Sequence, residues 1–580
     1  MRRSAPADDE KLKTGAGSQM ELNMQSRVRG STQPPLLTHT IGAALSQAAL
    51  NWGGHEAVVC TAQNVRLTWR ELDRRVEDFA AGLLASGLRP GDRIGIWSLN
   101  RVEWIITQFA AAKAGLILTT INPAYRLDEL EYALKKVGCR ALILSPPFKT
   151  SDYPALIRTL APELDAPAPL GLNARRLPDL KLVIQMETPT LAGATGFDTV
   201  EALGRASGLN DLRAVEAGLT CHDPINIQFT SGTTGRPKGV TLSHHNILNN
   251  GYLAGAAMAL TPDDRICTPV PLYHCFGMVL SVMAALSHGA AMVFPGEGFD
   301  ALATLEAAAA ERCTALYGVP TMFIAELEHP RFAEFDLTRL RTGIMAGSPC
   351  PIEVMRKVID RMHMRDITIG YGMTETSPLS FQSGGDDPLE RRVSTVGRIH
   401  PHVECKIIDA DGTVLPWGQP GELCTRGYSV MIGYWNDPEQ TAASVDAEGW
   451  LHSGDLATFD EEGYCQIVGR LKDMIIRGGE NLYPREIEEY LYRHPKIQDV
   501  QVFGVPDDRY GEQVCAWVRL VDGETMAREE LLDFCRGEIA HQKLPHHVRF
   551  VTDFPLTVTG KIQKFVMRDM MVEELKATAG

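Results

Sequence analysis

Residues 229–240, FTSGTTGRPKGV, crowd hydroxyls, glycines and one lysine into a single turn. Thr230, Ser231, Thr233 and Thr234 offer hydroxyl donors. Gly232 and Gly235 tolerate positive φ, so the backbone can curl and aim several N–H groups at one anion. Lys238 adds a positive charge. The spacing departs from the Walker pattern: counting from Gly232, Pro237 stands where the second glycine belongs, and Gly239 follows Lys238 where Ser or Thr belongs. Ile225, Ile227 and Phe229 alternate as in a strand before the turn. GVTLS reads as a second strand after it, with Ser243 capping the next helix. The expected phosphate loop therefore joins two strands. A flexible surface turn is the competing reading.

Other residues could complete a reaction on a phosphate. Glu375, in YGMTET, is a hard oxygen donor suited to Mg2+; a solvated loop glutamate is its alternative. Asp455, in SGD, can accept two hydrogen bonds from vicinal hydroxyls of a ribose, or merely cap a turn. Arg470 alone reads as a surface arginine, and Lys561 in VTGKI as a solvated lysine in a tight turn. His274, in LYHCFG, is read either as a substrate-positioning group or as a packed core histidine.

These residues need a large scaffold. At 580 residues the chain exceeds one compact core. TWRELDRRVEDFAAGLLASGL opens on a capping box from Thr68 to Glu71, puts Leu72, Val76, Phe79, Ala80 and Leu83 on one helical face, and ends at Gly87. RIGIWSL then reads as a buried strand. Such alternation recurs to about residue 400 and predicts mainly parallel β-sheets covered by helices. Residues 404–464 change to short strands and Gly-rich turns. From about residue 473 a compact α+β segment follows, whose helix in YPREIEEYLYRHP lies between Pro484 and Pro495. The fold class is thus α/β: a large N-terminal domain with a small β-rich part, and a small C-terminal α+β domain.

Composition excludes several functions. With 57 Lys and Arg against 72 Asp and Glu, the net charge of −15 argues against nucleic acid as a partner. The most apolar run, residues 104–121, is broken by Gln108 and Lys113 and reads as a buried helix entering a strand, so no transmembrane segment is expected. The twelve cysteines show neither Cys-x-x-Cys nor zinc spacing and fit a reducing compartment. The pairs His244–His245 and His546–His547 read as surface or packing residues. Residues 1–35 are polar and aperiodic, as in a disordered leader.

The turn at 229–240 resembles the signature of the adenylate-forming enzymes, a family of acyl-CoA synthetases, peptide-synthetase adenylation domains and luciferases. PLYHCFG (271–277), YGMTET (371–376), GWLHSGDL (449–456), GRLKDMIIRGGENLYPREIE (469–488) and TGKIQK (559–564) follow in the family's order. The resemblance implies activation of a carboxylate by attack on the α-phosphate of ATP, giving an acyl-adenylate and pyrophosphate, then displacement of AMP by a thiol. It implies ATP or AMP contacts from Thr230, Ser231, Gly232, Thr233, Thr234, Gly235, Lys238, Gly347, Ser348, Tyr371, Gly372, Thr374, Asp455, Arg470 and Lys561. Tyr371 would lie against adenine, Thr374 on phosphate, and Glu375 with Thr230 on Mg2+. Lys561, Thr230, Glu375 and His274 would be the catalytic set, Lys561 bridging carboxylate and α-phosphate.

Gly478, Gly479 and Glu480 would line the CoA path, and Lys472 would be a hinge between residues 36–471 and 472–580. The acyl pocket is expected from His274, Phe276, Met278, Val319 and Met322. Local phrasing resembles medium-chain fatty acyl-CoA synthetases of the acyl-CoA synthetase family member 2 type. An aryl acid, or a separate carrier protein in place of CoA, stays open. The expected partners are fatty acid, ATP and CoA, with Mg2+ as cofactor; a homodimer is compatible. A cytoplasmic location is expected, or the mitochondrial matrix for a eukaryotic source.

Overall fold

Strands that read as unbroken apolar runs, such as Ile117–Thr120 and Ala315–Gly318, are buried along their whole length. They belong to a computed structural model that describes residues 25–149, 151–166, 171–230, 236–348, 350–478, 480–556 and 562–579. Burial on both faces requires two covering layers, and the chain supplies them through two large sheets.

One sheet has eight strands. Its parallel part runs from Pro224–Thr230 through Ile117–Thr120, Arg93–Trp97, Cys139–Leu144 and Leu182–Gln185 to Thr195–Gly196. Lys238–Ser243 and Gly433–Tyr434 extend it antiparallel on the other side. The second sheet has nine strands. Thr342–Ala346 and Asp366–Gly372 lie parallel at its centre, and Leu379–Gln382 turns back antiparallel. One apolar cluster joins both sheets: Ile94, Ile96 and Leu118 from the first, Val58, Ile266, Met292 and Ile344 from the second. The helix Val102–Lys113 lies within it and is buried nearly all round, as a core helix must be.

Local expectations hold in detail. Thr68 and Glu71 form a reciprocal capping box on the helix Trp69–Ala85. Leu72, Val76, Phe79, Ala80 and Leu83 are fully buried. Gly87 takes φ of 94° just past the helix. Residues 102–120 are a helix running into a strand, as read.

The Gly-rich region forms a five-stranded antiparallel sheet of Arg27–Arg29, Val403–Ile408, Gly421–Gly427, Leu451–Phe459 and Cys465–Arg470. Arg27–Arg29 corrects the end of the leader expected over 1–35, of which residues 1–24 lie outside the described residues. Arg27 pairs with Lys406 and Arg29 with Glu404, so this stretch is an edge strand. Three arginines converge on Glu404, namely Arg27, Arg29 and Arg426. Sequence periodicity could not show a three-residue strand whose partner lies almost 380 residues away.

After the short 3-10 turn Leu471–Asp473, a last sheet of Ile475–Arg477, Glu480–Leu482, Ile497–Asp507, Gly511–Leu520 and His547–Phe550 packs its own core around Val500, Val502, Val514 and Leu531. The helix Pro484–Leu491 has its proline in the first turn, as expected. All twelve cysteines are free and buried. No helix among the described residues is long and apolar enough to cross a membrane.

Candidate functional site

The strands flanking the phosphate-type loop form a hairpin with Thr230 opposite Lys238. The strand–loop–strand reading is therefore correct. Ser243 caps the helix His244–Ala257 through a reciprocal box with Asn246. Ser231, Gly232, Thr233, Thr234 and Gly235 lie outside the described residues, as do Gly479 and Lys561. The loop's flanks are held by aromatic rings. The Tyr132 hydroxyl donates to the Pro237 carbonyl at 3.1 Å, and the Arg236 guanidinium lies 4.9 Å from the Tyr132 ring centre.

Lys238 Nζ lies 4.8 Å from the centre of the Tyr434 ring. The Tyr434 hydroxyl donates to Glu375 Oε1 at 3.0 Å. One tyrosine thus holds the loop's cation by its π-face and the candidate metal-binding carboxylate by its hydroxyl. Composition and spacing gave no sign of Tyr434, because its partners are 59 and 196 residues away.

Glu375 sits in a 3-10 turn, Thr374–Thr376, and is 8% exposed. Surrounding backbone contacts fix this turn. The Glu375 carbonyl accepts from the Met431 N–H at 2.9 Å. Ser377 Oγ donates to the Ser429 carbonyl, and the Asn250 amide pairs with both backbone groups of Leu379. A Cβ at Gly372 would stand 1.8 Å from the Pro378 carbonyl oxygen, so only glycine lets the turn close.

A second cluster gathers three predicted residues. Asp455 and Arg470 are cross-strand partners. Arg470 Nε lies 3.2 Å from Asp455 Oδ1, and the Tyr371 hydroxyl donates to Asp455 Oδ2 at 2.6 Å. Burial raises the Asp455 carboxyl above its ordinary value, with Arg470 and Tyr371 pulling the other way. Burial, then the Asp455 charge, raises the Tyr371 phenol. Each carboxylate oxygen keeps capacity for a further donor, as two ribose hydroxyls require. Gly347, with φ of 92°, and Ser348 follow directly on the strand Thr342–Ala346, next to the strand that carries Tyr371.

His274 is half-buried, and its Nδ1 accepts from the Phe276 N–H at 3.2 Å. Cys275 Sγ lies 3.8 Å from Thr374 Oγ1, which joins the His274 segment to the Glu375 turn. Residues Phe276–Ser281 form a π-helix, a geometry frequent at functional sites. Phe276 stacks on Tyr317 at 6.0 Å between ring centres, and Val319 and Met322 share its apolar cluster. Met278 points elsewhere. Its sulfur accepts from Gln228 Nε2 at 3.2 Å, its carbonyl accepts from Gln108, and it borders a small void with Ile41 and Ile225.

Gly478 has φ of 61°, and its N–H donates to the Tyr510 carbonyl. An added Cβ there meets only Tyr510 at 3.5 Å, so backbone torsion rather than crowding demands the glycine. Glu480 accepts from Gln542. Lys472 is exposed within the turn Leu471–Asp473. Contacts cross this joint: Arg485 donates to the Ile467 carbonyl, and Gln498 to Glu328. A cleft of about 410 Å3, bordered by Leu327, Val354, Lys357, Tyr492 and Gln498, lies at the same junction; none of the predicted site residues lines it.

Comparison with known proteins identifies the family and the fold. Residues 45–435 match the family described as AMP-binding enzyme, and residues 486–561 match the AMP-binding enzyme C-terminal domain. The chain is 46% identical over 556 residues to the human protein named medium-chain acyl-CoA ligase ACSF2, mitochondrial, covering 95% of this chain and 90% of that one. It is 48% identical over 540 residues to the putative acyl-CoA synthetase YngI of Bacillus subtilis, covering 93% and 98%. Among solved structures, the anthranilate CoA ligase AuaEII in complex with anthranoyl-AMP superposes with a TM-score of 0.81 at 25% identity, covering 92% of this chain and 97% of that one. ATP-bound MatB from Rhodopseudomonas palustris gives 0.74 at 29%, covering 92% and 99%.

Proposed function

Because the chain belongs to the AMP-binding enzyme family, we propose that it is an ATP-dependent acid–CoA ligase that prefers medium-chain fatty acids. The acid is activated as an acyl-adenylate with release of pyrophosphate. CoA then takes the acyl group and AMP leaves. The observation that carries this reading is the position of Glu375, tied through Tyr434 to Lys238 and through Thr374 to the His274–Cys275 segment. The nearness of Lys238, a hard carboxylate and the His274–Cys275 segment supports this reading.

A Mg2+ ion fits this donor set. Glu375 supplies a carboxylate with room for more than one partner, and Thr230 adds a hydroxyl at the end of its strand. When bound, the ion would neutralise phosphate charge as the carboxylate approaches. The loop at 230–238 holds the β- and γ-phosphates as they become pyrophosphate. Asp455 and Arg470 hold the ribose, and Tyr371 lies against adenine. Lys561 bridges the reacting carboxylate and the α-phosphate, since two anions must meet there. Turning residues 472–580 about Lys472 then exchanges Lys561 for the Gly478–Gly479 loop, along which the thiol enters.

Phe276, Val319 and Met322 are the proposed acyl contacts, with His274 at the carboxylate end; Met278 supports them from behind. The human relative's name supports the medium chain length and, for a cell with mitochondria, that compartment. An aryl acid is the second reading, favoured by the superposition on an anthranilate ligase. Pyrophosphate release measured on a panel of alkyl and aryl acids, with ATP and CoA, tests the choice. A maximum at medium alkyl chains supports the proposal. Turnover confined to aryl acids overturns it in favour of the second reading, and adenylate formation without thioester points to a carrier-protein acceptor.

A further inference from the structure

Cys221 and His222 are neighbours in the sequence, and His245 lies some two dozen residues further on. Folding brings them together: each offers a ligand atom, and the three atoms lie within 4.8 Å of one another. The His222 and His245 rings are 4.9 Å apart between centres, inclined at 52°. Cys221 and His222 precede the strand Pro224–Thr230, and His245 is the second residue of the helix His244–Ala257. The Cys221 carbonyl accepts from the His245 N–H at 2.7 Å, which locks the two segments together.

The tautomer of His245 can be assigned from its neighbours. Its Nδ1 lies 3.2 Å from the Leu37 carbonyl oxygen and 3.2 Å from Asn249 Nδ2. Asn249 Nδ2 already spends its two N–H groups on the carbonyls of Leu37 and His245, at 3.0 and 2.9 Å. The Nδ1 of His245 therefore carries the proton and donates to Leu37. Its Nε2 keeps a lone pair, which is the arrangement by which a backbone carbonyl orients a metal-binding histidine.

We propose that Cys221 Sγ, His222 and His245 Nε2 form a binding site for one thiophilic divalent cation of the Zn2+ kind. Two imidazoles and a thiolate suit such an ion, and three protein ligands leave a fourth position for water. Binding displaces the Cys221 proton to solvent. His222 is exposed and gives the ion a way in. The site lies at the end of the hairpin where Pro224 meets Ser243, whereas the phosphate loop springs from the opposite end, where Thr230 meets Lys238. It is therefore separate from the Mg2+ site and would brace the root of the hairpin that carries the phosphate loop.

A second group, Glu422, Cys424 and His452, offers a ready control. There His452 Nδ1 is already engaged by Glu422 at 3.0 Å, and burial pushes the Cys424 thiol up to about 12. The full-length protein, stripped with chelator, is titrated with Co2+ while thiolate-to-metal charge-transfer absorption is read, and then with Zn2+ while bound metal is counted. The expected result is one ion per chain with a thiolate band. Cys221→Ser abolishes the band and His222→Ala weakens binding by at least the ~10- to 100-fold that loss of a ligand's hydrogen-bond partner costs, while Cys424→Ser leaves both unchanged. His222 is exposed, so its variant keeps the test valid if changes at His245 impair folding. Absence of metal at micromolar concentration overturns the proposal. So does a band that survives Cys221→Ser or vanishes in Cys424→Ser.

Discussion

The Tyr434 hydroxyl donates to Glu375 Oε1 while the Tyr434 ring faces Lys238 Nζ. One side chain thus contacts both the carboxylate and the cation. A hydrogen bond to a charged group contributes about 1.5–3 kcal/mol. Tyr434→Phe keeps the ring over Lys238 but removes the hydrogen bond to Glu375. The Mg2+ concentration for half-maximal adenylate formation should rise about tenfold, with thioester formation from supplied acyl-adenylate little changed. An unaltered Mg2+ requirement would remove Tyr434 from the site.

Asp455 gives nucleotide binding a pH dependence whose direction follows from its raised pKa. The ionised carboxylate is the form that accepts hydroxyl donors. Binding is therefore coupled to loss of a proton. Affinity for AMP should be level above the raised pKa and fall as pH drops through it, at a pH above the ordinary carboxylate range. Asp455→Asn should abolish that acidic limb and weaken AMP about 10- to 100-fold at neutral pH. Calorimetric titration of AMP across pH checks both. A limb that persists in the asparagine variant assigns it to another group.

How much of this could be read from residues alone varies with the range of the interaction. The capping box at Thr68 and the hairpin around the phosphate loop are local, and both are found as expected. Asp455 and Arg470 were named separately; their pairing needed the register of two antiparallel strands. Arg27–Arg29 resembles the polar leader before it, because three residues carry no period. Met278 is apolar and lies in the segment expected to line the acyl pocket. Two residues along a helix point to nearly opposite sides, and Met278 Sδ meets Gln228. Tyr434 and the Cys221–His245 cluster rest on contacts between distant segments, to which pattern is blind.

Glu326 makes a stability prediction. It is 1% exposed, neither carboxylate oxygen has a hydrogen-bond partner among the described residues, and burial raises its pKa well above the ordinary value. A carboxyl whose folded pKa exceeds the unfolded one contributes stability below the unfolded pKa and loses it as pH rises through the folded value. Glu326→Gln keeps the shape but cannot ionise. It should unfold at higher temperature than the parent, by a margin that widens as pH is raised. Thermal scans at several pH values decide this, and a constant or negative margin refutes it.

Lys472 and Lys561 together test whether one small domain serves two reactions. Lys472 is exposed in a single 3-10 turn between two independently packed sheets, so few contacts restrain its torsions. Proline there fixes φ near one value. Lys472→Pro should lower overall turnover while sparing one half-reaction, because one orientation of residues 472–580 stays accessible. Lys561→Ala should reduce adenylate formation by about 100- to 1,000-fold and spare thioester formation from supplied adenylate, because its charge is needed only where two anions meet. The pair discriminates mechanism from damage. A general loss of folding would depress both half-reactions in both variants, whereas alternation predicts selective losses, with Lys561→Ala confined to the first step. Equal losses in the two steps for either variant would count against a rotating domain.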